Sequence, residues 1–215
     1  MHILLKDLLK EEEEKSALQV QLYVDMDGVL VDMEAGFKEL SDGLTPKEYE
    51  KKHSTPAKHM GLFSLINAKE KDGITPKFPN FWINLKPMSD AKQLWDVIKA
   101  NFKNPAPIIL TAGDRRKGRK KLDAIRTKDM ERLVSQKTQW IRNFTGNGGL
   151  EVRVANIGTE KPKEIKNISG RVTHVLLDDT QKNIDVWDNV ALHRIAIHHT
   201  DASSSIKKLQ PFVIE

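Results

Sequence analysis

Residues 22–32 read LYVDMDGVLVD, an apolar run that ends in an Asp-x-Asp-Gly group. A second apolar run, VLLDD at 175–179, also ends in a pair of aspartates. Carboxylates at the end of a buried strand are costly unless they are paired, hydrogen-bonded or neutralised by a cation. Two such strand ends predict one shared site for Mg²⁺, which prefers oxygen ligands and keeps positions open for water and phosphate. The two runs together indicate a phosphoryl-transfer centre.

Composition limits the fold and the compartment. The 215 residues, 39% hydrophobic and 30% charged, predict an ordinary globular protein with one main domain and a smaller one attached. The absence of cysteine excludes disulfides, thiolate metal sites and cysteine nucleophiles, and we expect a cytoplasmic protein. Residues 1–16 have apolar positions at helical spacing, which favours an amphipathic helix over a signal peptide. No apolar run approaches membrane-spanning length, so no membrane partner is expected.

The net charge of +5 favours anionic partners, and much of it lies in residues 115–121, RRKGRKK. Two interpretations of this run stay open. It is either a solvated loop and helix start, or a patch that steers phosphate or contacts nucleic acid. The run contains none of the aromatic residues that single-strand binding platforms use.

Short apolar runs alternate with helical patterns along the chain. The predicted strands are 20–24, 107–110, 152–155, 174–177 and 192–197, and the predicted helices include 89–102, 129–144 and 181–189. This alternation predicts an α/β fold with a parallel sheet between helical layers, a three-layer Rossmann-like core. Ligands bind at the carboxyl ends of the strands in such sheets, where Asp25, Thr111, Asp178 and Asp179 fall.

Residues 33–86 interrupt the alternation. They contain a clear helix start, TPKEYE at 45–50, followed by glycine and proline punctuation. We therefore predict a small, mostly helical cap over 33–86, inserted after the first strand, and a core made of 1–32 and 87–215.

The acidic residues permit a two-step reaction. Asp25 is placed to attack phosphorus as a nucleophile, and Asp27 points to the same side of an extended chain, where it would act as acid and then as base. Gly28 would bring backbone N–H groups close to the phosphoryl oxygens. Asp178 would complete the Mg²⁺ shell with Asp25 and the Asp27 carbonyl, while Asp179 would hold a metal-bound water.

Phosphate contacts are predicted at two further places. Thr111 and Ala112 are predicted to lie at the phosphate, where the Thr111 hydroxyl would donate to a phosphoryl oxygen or else cap the turn. A lysine is also needed to balance the phosphate, and residues 159–165, TEKPKEI, supply Lys161 and Lys163. Lys161 is favoured, but the spacing leaves both open.

These motifs, in this order, resemble the four motifs of the haloacid dehalogenase-like superfamily. The matching residues are DMDGVL at 25–30, Leu110 and Thr111, a lysine, and LDD at 177–179. Asp27 resembles the acid/base of the superfamily's phosphatases, whereas its dehalogenases lack that residue and need no Mg²⁺. The predicted insertion is similar to the superfamily's first type of cap.

Two more stretches resemble the 5'(3')-deoxyribonucleotidase family: NFWINLKPM at 80–88 and KTQWI at 137–141. Ala112 departs from that family, which often has a second hydroxyl there. The resemblance implies a Mg²⁺-dependent phosphomonoester hydrolase acting on a small nucleotide. We expect Phe81 and Trp82 to select the substrate from the cap, with Trp82 a candidate for stacking on a base.

Other functions remain as alternatives. The same chemistry would serve a nucleic-acid 3'-end phosphatase, with residues 115–121 on the backbone, or another small-molecule phosphatase. A basic nucleic-acid-binding module on a phosphatase-like scaffold is a different class, and the acidic residues argue against it because carboxylates repel a polyanion. A homodimer is compatible with the sequence.

Overall fold

A five-stranded parallel sheet forms the centre of the protein. The computed structural model describes residues 19–55, 61–113, 120–155, 158–165, 172–189 and 193–213, with side chains in the long helix from residue 127 onward. The strands are β1 (Gln19–Val24), β2 (Ile108–Ala112), β3 (Val152–Ala155), β4 (Val172–Asp178) and β5 (Arg194–His198). Their order is β3-β2-β1-β4-β5, and all neighbours run parallel. The central strand β1 therefore ends between β2 and β4.

The strands are apolar because both faces of the sheet are covered. Alternate residues of β1 point to opposite faces, so Leu22 and Val24 join the larger core while Tyr23 packs with Leu176 and Trp187 on the other side. The larger core also takes in side chains from the helices on its side of the sheet, among them Leu94, Ile98, Leu133 and Ile141. The α/β class with a parallel sheet is confirmed.

The helices predicted at 89–102, 129–144 and 181–189 are present with changes of length, and the helix at Ala202–Leu209 was not predicted. The helices are α1 (Met33–Leu40), α2 (Pro46–His53), α3 (Leu62–Ile66), α4 (Ala91–Asn101), α5 (Lys120–Thr145), α6 (Gln181–Asp188) and α7 (Ala202–Leu209), with 3-10 segments at Trp82–Asn84, Gly158–Glu164 and Gln210–Phe212. Helix α2 begins where the sequence predicts, with a capping box at Thr45 and Pro46 in the first turn. Helix α5 starts at Lys120 rather than at residue 129.

The inserted region rests on one face of α5. Positions 129, 132, 136 and 140 lie on the same side of this helix, and each contacts the segment 67–85. The contacts are an ion pair of Asp129 with Lys69, and hydrogen bonds from Arg132 to Asn67, from Gln136 to the Pro79 carbonyl and from Trp140 to the Leu85 carbonyl. The division of the chain into a core and a cap at residues 33–86 stays a prediction.

Two predicted features lie outside the described residues: the N-terminal helix at 1–16 and the side chains of the basic run at 115–121. Within the described ranges, no helix has both the length and the apolar character that crossing a membrane requires.

Candidate active site

The carboxyl ends of β1 and β4 bring three aspartates together. Asp25 follows β1 and donates its N–H to the Leu177 carbonyl at 2.8 Å, which ties it to the end of β4. Asp178 is the last residue of β4 and Asp179 follows it. Ligand oxygens of Asp25, Asp178 and Asp179 all lie within 4.8 Å of one another. The two acidic strand ends thus meet as their sequence positions predict.

A buried lysine lies between two of these carboxylates. Lys161 Nζ is 2.8 Å from Asp25 Oδ2 and 2.6 Å from Asp178 Oδ2, and the residue is fully buried. It is carried by the 3-10 segment Gly158–Glu164, directly after β3. The side chain of Lys163 is 70% exposed and pairs with Glu160 instead. The structure therefore brings Lys161 to the carboxylates and leaves Lys163 at the surface.

Asp178 has a further partner that the sequence did not reveal. Asn183, in the first turn of α6, donates its Nδ2 to both carboxylate oxygens of Asp178 at 3.0 and 3.1 Å. The Thr180 N–H also donates to Asp178 Oδ1, at 2.9 Å. The only sequence signal for Asn183 is an amide at the helix start that follows the second acidic pair.

Burial and crowding make this group of carboxylates electrostatically strained. Burial raises the pKa of Asp25 well above its ordinary value; Lys161 opposes this, and the neighbouring aspartates add to it. Burial alone would lower the pKa of Lys161, but Asp25 and Asp178 outweigh it, so that the pKa lies above its usual range. Burial, together with Asp178, also raises the pKa of Asp179. Another positive charge here would be favourable.

A second buried lysine organises the other half of the site. Lys137 Nζ lies 2.5 Å from Asp27 Oδ2, 2.7 Å from Thr111 Oγ1 and 3.2 Å from the Ala112 carbonyl. Its ammonium also lies 4.5 Å from the centre of the Trp82 ring. The Thr111 hydroxyl donates to Asp27 Oδ2 at 3.3 Å. Asp27 Oδ1 is buried and has no hydrogen-bond partner among the described residues.

The helical spacing of apolar residues around Lys137 could have predicted that this lysine is buried, although no motif pointed to it. Leu133 and Ile141, four residues to either side, are buried apolar residues of the same helix. Position 137 therefore falls on the buried face of α5, where a lysine is rare unless a carboxylate pairs with it. The resemblance covered the stretch 137–141 but assigned no role to its first residue.

Gly28 lies in a tight turn after β1, and its predicted effect of bringing neighbouring N–H groups close to a phosphoryl oxygen stays a prediction. Its N–H donates to the Val31 carbonyl at 2.9 Å, so this donor is used within the turn and is not available to a phosphoryl oxygen. Its φ is +79°, and a Cβ at this position would lie 2.2 Å from Asp179 Oδ2. Glycine is required here because the backbone takes a left-handed conformation and Asp179 approaches it closely.

The two aromatic residues expected to select substrate are buried. Trp82 is 1% exposed and Phe81 is 7% exposed. Their rings meet edge to face with centroids 4.9 Å apart, and Lys137 lies over the Trp82 ring. A base cannot stack on Trp82 in this arrangement. A cavity of about 360 Å³ does lie between α1 and residues 77–86, but none of the four site aspartates lines it.

The donor set fits a divalent cation. Asp25, Asp178 and Asp179 offer clustered carboxylate oxygens, the ligands that Mg²⁺ prefers. The four aspartates outnumber the two lysine ammonium groups, which pair with Asp27, Asp25 and Asp178, so the fully ionised site carries an excess of negative charge that a divalent ion would offset. Asp25, Asp178 and Asp179 would hold this ion.

Neither a protein-family model nor a curated protein sequence matches this chain. Similar solved structures include the crystal structure of a hydrolase from Streptococcus pneumoniae TIGR4. The two share 15% sequence identity with a TM-score of 0.39, over 91% of this chain and 98% of that chain. A likeness of this degree assigns neither a reaction nor a substrate.

Proposed function

We propose that this protein is a Mg²⁺-dependent phosphomonoester hydrolase that acts through an aspartyl-phosphate at Asp25. The observation that carries the proposal is the meeting of Asp25, Lys161 and Asp178 at adjacent strand ends, with Asp27 held beside them. A phosphoryl group needs such a nucleophile, cation and acid within a small space.

In the first half of the reaction, Asp25 attacks the phosphorus of the ester. Its Oδ1 accepts the Met26 N–H at 2.7 Å and its Oδ2 accepts from Lys161, so the carboxylate is held in one orientation. The bond from Asp25 to phosphorus forms, the bond to the leaving oxygen breaks, and Asp27 gives that oxygen a proton. Lys161 offsets negative charge on the transferring group.

In the second half, water attacks the aspartyl-phosphate and Asp27 takes its proton. The bond between water oxygen and phosphorus forms, the bond to Asp25 breaks, and inorganic phosphate leaves. When bound by Asp25, Asp178 and Asp179, Mg²⁺ supplies further neutralisation of the charge on the phosphoryl oxygens. Asn183 and Thr180 keep the Asp178 carboxylate in position for this role.

We propose a nucleoside monophosphate as substrate. The support is the meeting of the two stretches that resemble the deoxyribonucleotidase family: Trp82, from residues 80–88, and Lys137, from residues 137–141, contact each other beside Asp27. Trp140 in the second stretch also donates its indole N–H to the Leu85 carbonyl in the first, at 2.7 Å. In this proposal, both stretches serve the same end of the active site.

The test is a phosphate-release screen on the purified protein. It compares deoxyribonucleoside 5'-monophosphates, sugar phosphates, an aryl phosphate and a 3'-phosphorylated oligonucleotide, each with Mg²⁺ and with a chelator. We expect Mg²⁺-dependent release from the nucleotides and none from an Asp25→Asn variant prepared in the same way. Release no faster than that of Asp25→Asn on every substrate would refute the hydrolase. A preference for the oligonucleotide would instead indicate that the substrate is a phosphorylated nucleic-acid end.

A further inference from the structure

The hydrogen bonds of Lys137 distinguish it from an ordinary phosphate-binding lysine. A lysine ammonium has three N–H donors, and Lys137 places one on Asp27, one on Thr111 and one on the Ala112 carbonyl. Lys161 makes two such contacts among the described residues, to Asp25 and Asp178, and so keeps a donor for a ligand. Lys137 has no donor left for a phosphoryl oxygen in this arrangement. Its partners all belong to the protein.

These contacts leave the two oxygens of Asp27 unequal. Oδ2 accepts from both Lys137 and Thr111, whereas Oδ1 is buried and has no partner among the described residues. With Oδ2 occupied as an acceptor, Oδ1 is the oxygen of Asp27 that is left to give or take a proton. The orientation of the acid is therefore set by Lys137 and Thr111 before a substrate arrives.

We propose that Lys137 is a positioning residue that fixes the rotamer of Asp27, so that Oδ1 alone exchanges the proton with the leaving group. This inference rests on the proposed hydrolase function and names a residue that the reaction needs but that does not touch the substrate. Its contribution is confined to proton transfer at Asp27.

Trp82 completes the arrangement from the inserted region. Its ring covers the ammonium at 4.5 Å, a favourable cation–π distance, and its 1% exposure keeps water from this side. The ammonium thus joins four parts of the chain: the residues after β1, the end of β2, helix α5 and the 3-10 segment at Trp82–Asn84. Trp82 acts on Asp27 only through Lys137.

The test uses the dependence of proton transfer on the leaving group. An alkoxide, such as the 5'-oxygen of a nucleoside, needs the proton to leave, while a nitrophenolate hardly does. Lys137→Met, which keeps the side-chain length and removes the charge, should slow first-turnover release of a nucleoside by about 10²-fold, near the lower end for losing a general acid. Release of nitrophenolate from the aryl phosphate should slow only slightly, with an unchanged KM.

Two variants complete the comparison. Asp27→Asn should show the same leaving-group pattern, and adding Lys137→Met to it should slow nucleoside release no further, because both act in one step. Equal losses on the two substrates would assign Lys137 to phosphate binding and overturn the proposal. No loss on either substrate would reduce it to a structural charge and overturn the proposal as well.

Thermal unfolding of each variant separates a folding defect from a positioning defect. If Lys137→Met does not fold, Trp82→Leu carries the test, since it uncovers the ammonium without removing it. It should show the same selective loss with the nucleotide at a smaller size, and an equal loss on both substrates would again overturn the inference. Wild-type protein inactive on every phosphomonoester would instead refute the proposed function.

Discussion

The two buried lysines of the site, Lys161 and Lys137, do opposite things with the same chemical group. Lys161 lies between two carboxylates and has a donor to spare, while Lys137 spends every donor on one carboxylate, one hydroxyl and one carbonyl. An ammonium between crowded carboxylates that keeps a free N–H can bind a ligand that brings a new negative charge. An ammonium whose three N–H groups all bind protein atoms restricts the orientation of those partners instead. In the proposed mechanism, Lys161 therefore binds the phosphoryl group, whereas Lys137 orients the Asp27 carboxyl group.

The two lysines also lie in different kinds of secondary structure, which fits their different roles. Lys161 lies in a short 3-10 segment directly after β3, at the sheet edge where ligands bind. Lys137 lies within a helix of 26 residues whose buried face packs on the sheet and on the inserted region. A lysine in such a helix is restrained by its neighbours along the chain as well as by its partners.

The largest effect is expected from removing the shared ammonium. Lys161→Met leaves Asp25 and Asp178 facing each other without a cation, so turnover should fall on the order of 10²–10³-fold, as when a charge-stabilising donor is removed. Both the nucleotide and the aryl phosphate should be affected, because charge on the phosphoryl group does not depend on the leaving group. Steady-state rates on the two substrates measure this.

Lys163→Met is the matched control for that change. Its ammonium is two residues away, exposed, and paired with Glu160, a type of contact worth about 0–1 kcal/mol. Turnover and unfolding temperature should match the wild type. A larger loss in Lys163→Met than in Lys161→Met would reverse the assignment of the two lysines.

The next effect concerns stability and pH on the Lys161 side. Because the pKa of Asp25 is raised in the folded protein, the folded state loses stability as the pH rises from the ordinary Asp range to the raised pKa. The loss is complete above the raised pKa and absent below the ordinary range. In a chelator, Asp25→Asn should therefore unfold at a higher temperature than wild type at neutral pH. The advantage should shrink as the pH falls towards about 4, the ordinary Asp pKa.

Calorimetry across that pH range measures the difference, and each kcal/mol corresponds to about 2–4 °C for a chain of this size. Added Mg²⁺ should raise the unfolding temperature of wild type more than that of the variant, because it binds only the intact carboxylate set. An advantage of Asp25→Asn that is independent of pH would contradict the ionisation account.

A smaller effect is expected at Gly28, which borders Asp179. Gly28→Ala forces a side chain into a left-handed backbone and against the Asp179 carboxylate, so stability should fall by about 1–3 kcal/mol, with weaker Mg²⁺ binding. Gly43→Ala is matched in backbone, with a φ of +86° and nothing within 4 Å of the added carbon. It should lose less stability, from the backbone alone, and keep the Mg²⁺ affinity, measured by titration calorimetry. Equal Mg²⁺ affinities in the two variants would exclude a role for the Asp179 contact.

The smallest effect is expected on the Lys137 side, at the ring that covers the ammonium. Trp82→Phe keeps an aromatic face but weakens the cation–π contact by about 0.5–1 kcal/mol, a factor of about 2–5 in the rate with the nucleotide relative to the aryl phosphate. Trp95→Phe makes the same exchange at a buried indole of α4 whose nitrogen has no hydrogen-bond partner among the described residues, and it should leave that ratio unchanged. A shift of equal size in both variants would show general loosening of the core.

The sheet and the acidic cluster were predictable because both follow from local pattern and a general rule. Apolar runs separated by amphipathic helices lead to a parallel sheet, and parallel strands bring their carboxyl ends to one edge, so Asp25 and Asp178 were expected at the same edge. Their direct contact depends on β1 and β4 being neighbours, which the structure shows. Helix α2 begins at Pro46 because its capping box is complete within a few residues of chain. In each case the determining contacts are short-range or common to every sheet of this kind.

Only the tertiary structure decided which lysines serve the site. Lys161 and Lys163 are two residues apart in a 3-10 segment, and the packing of that segment against the sheet determines which one is buried. Lys137 depends on partners even further away: Asp27 is 110 residues distant and Thr111 is 26 residues distant along the chain. A buried charge is stable only where such partners converge, and that convergence is a property of the assembled fold.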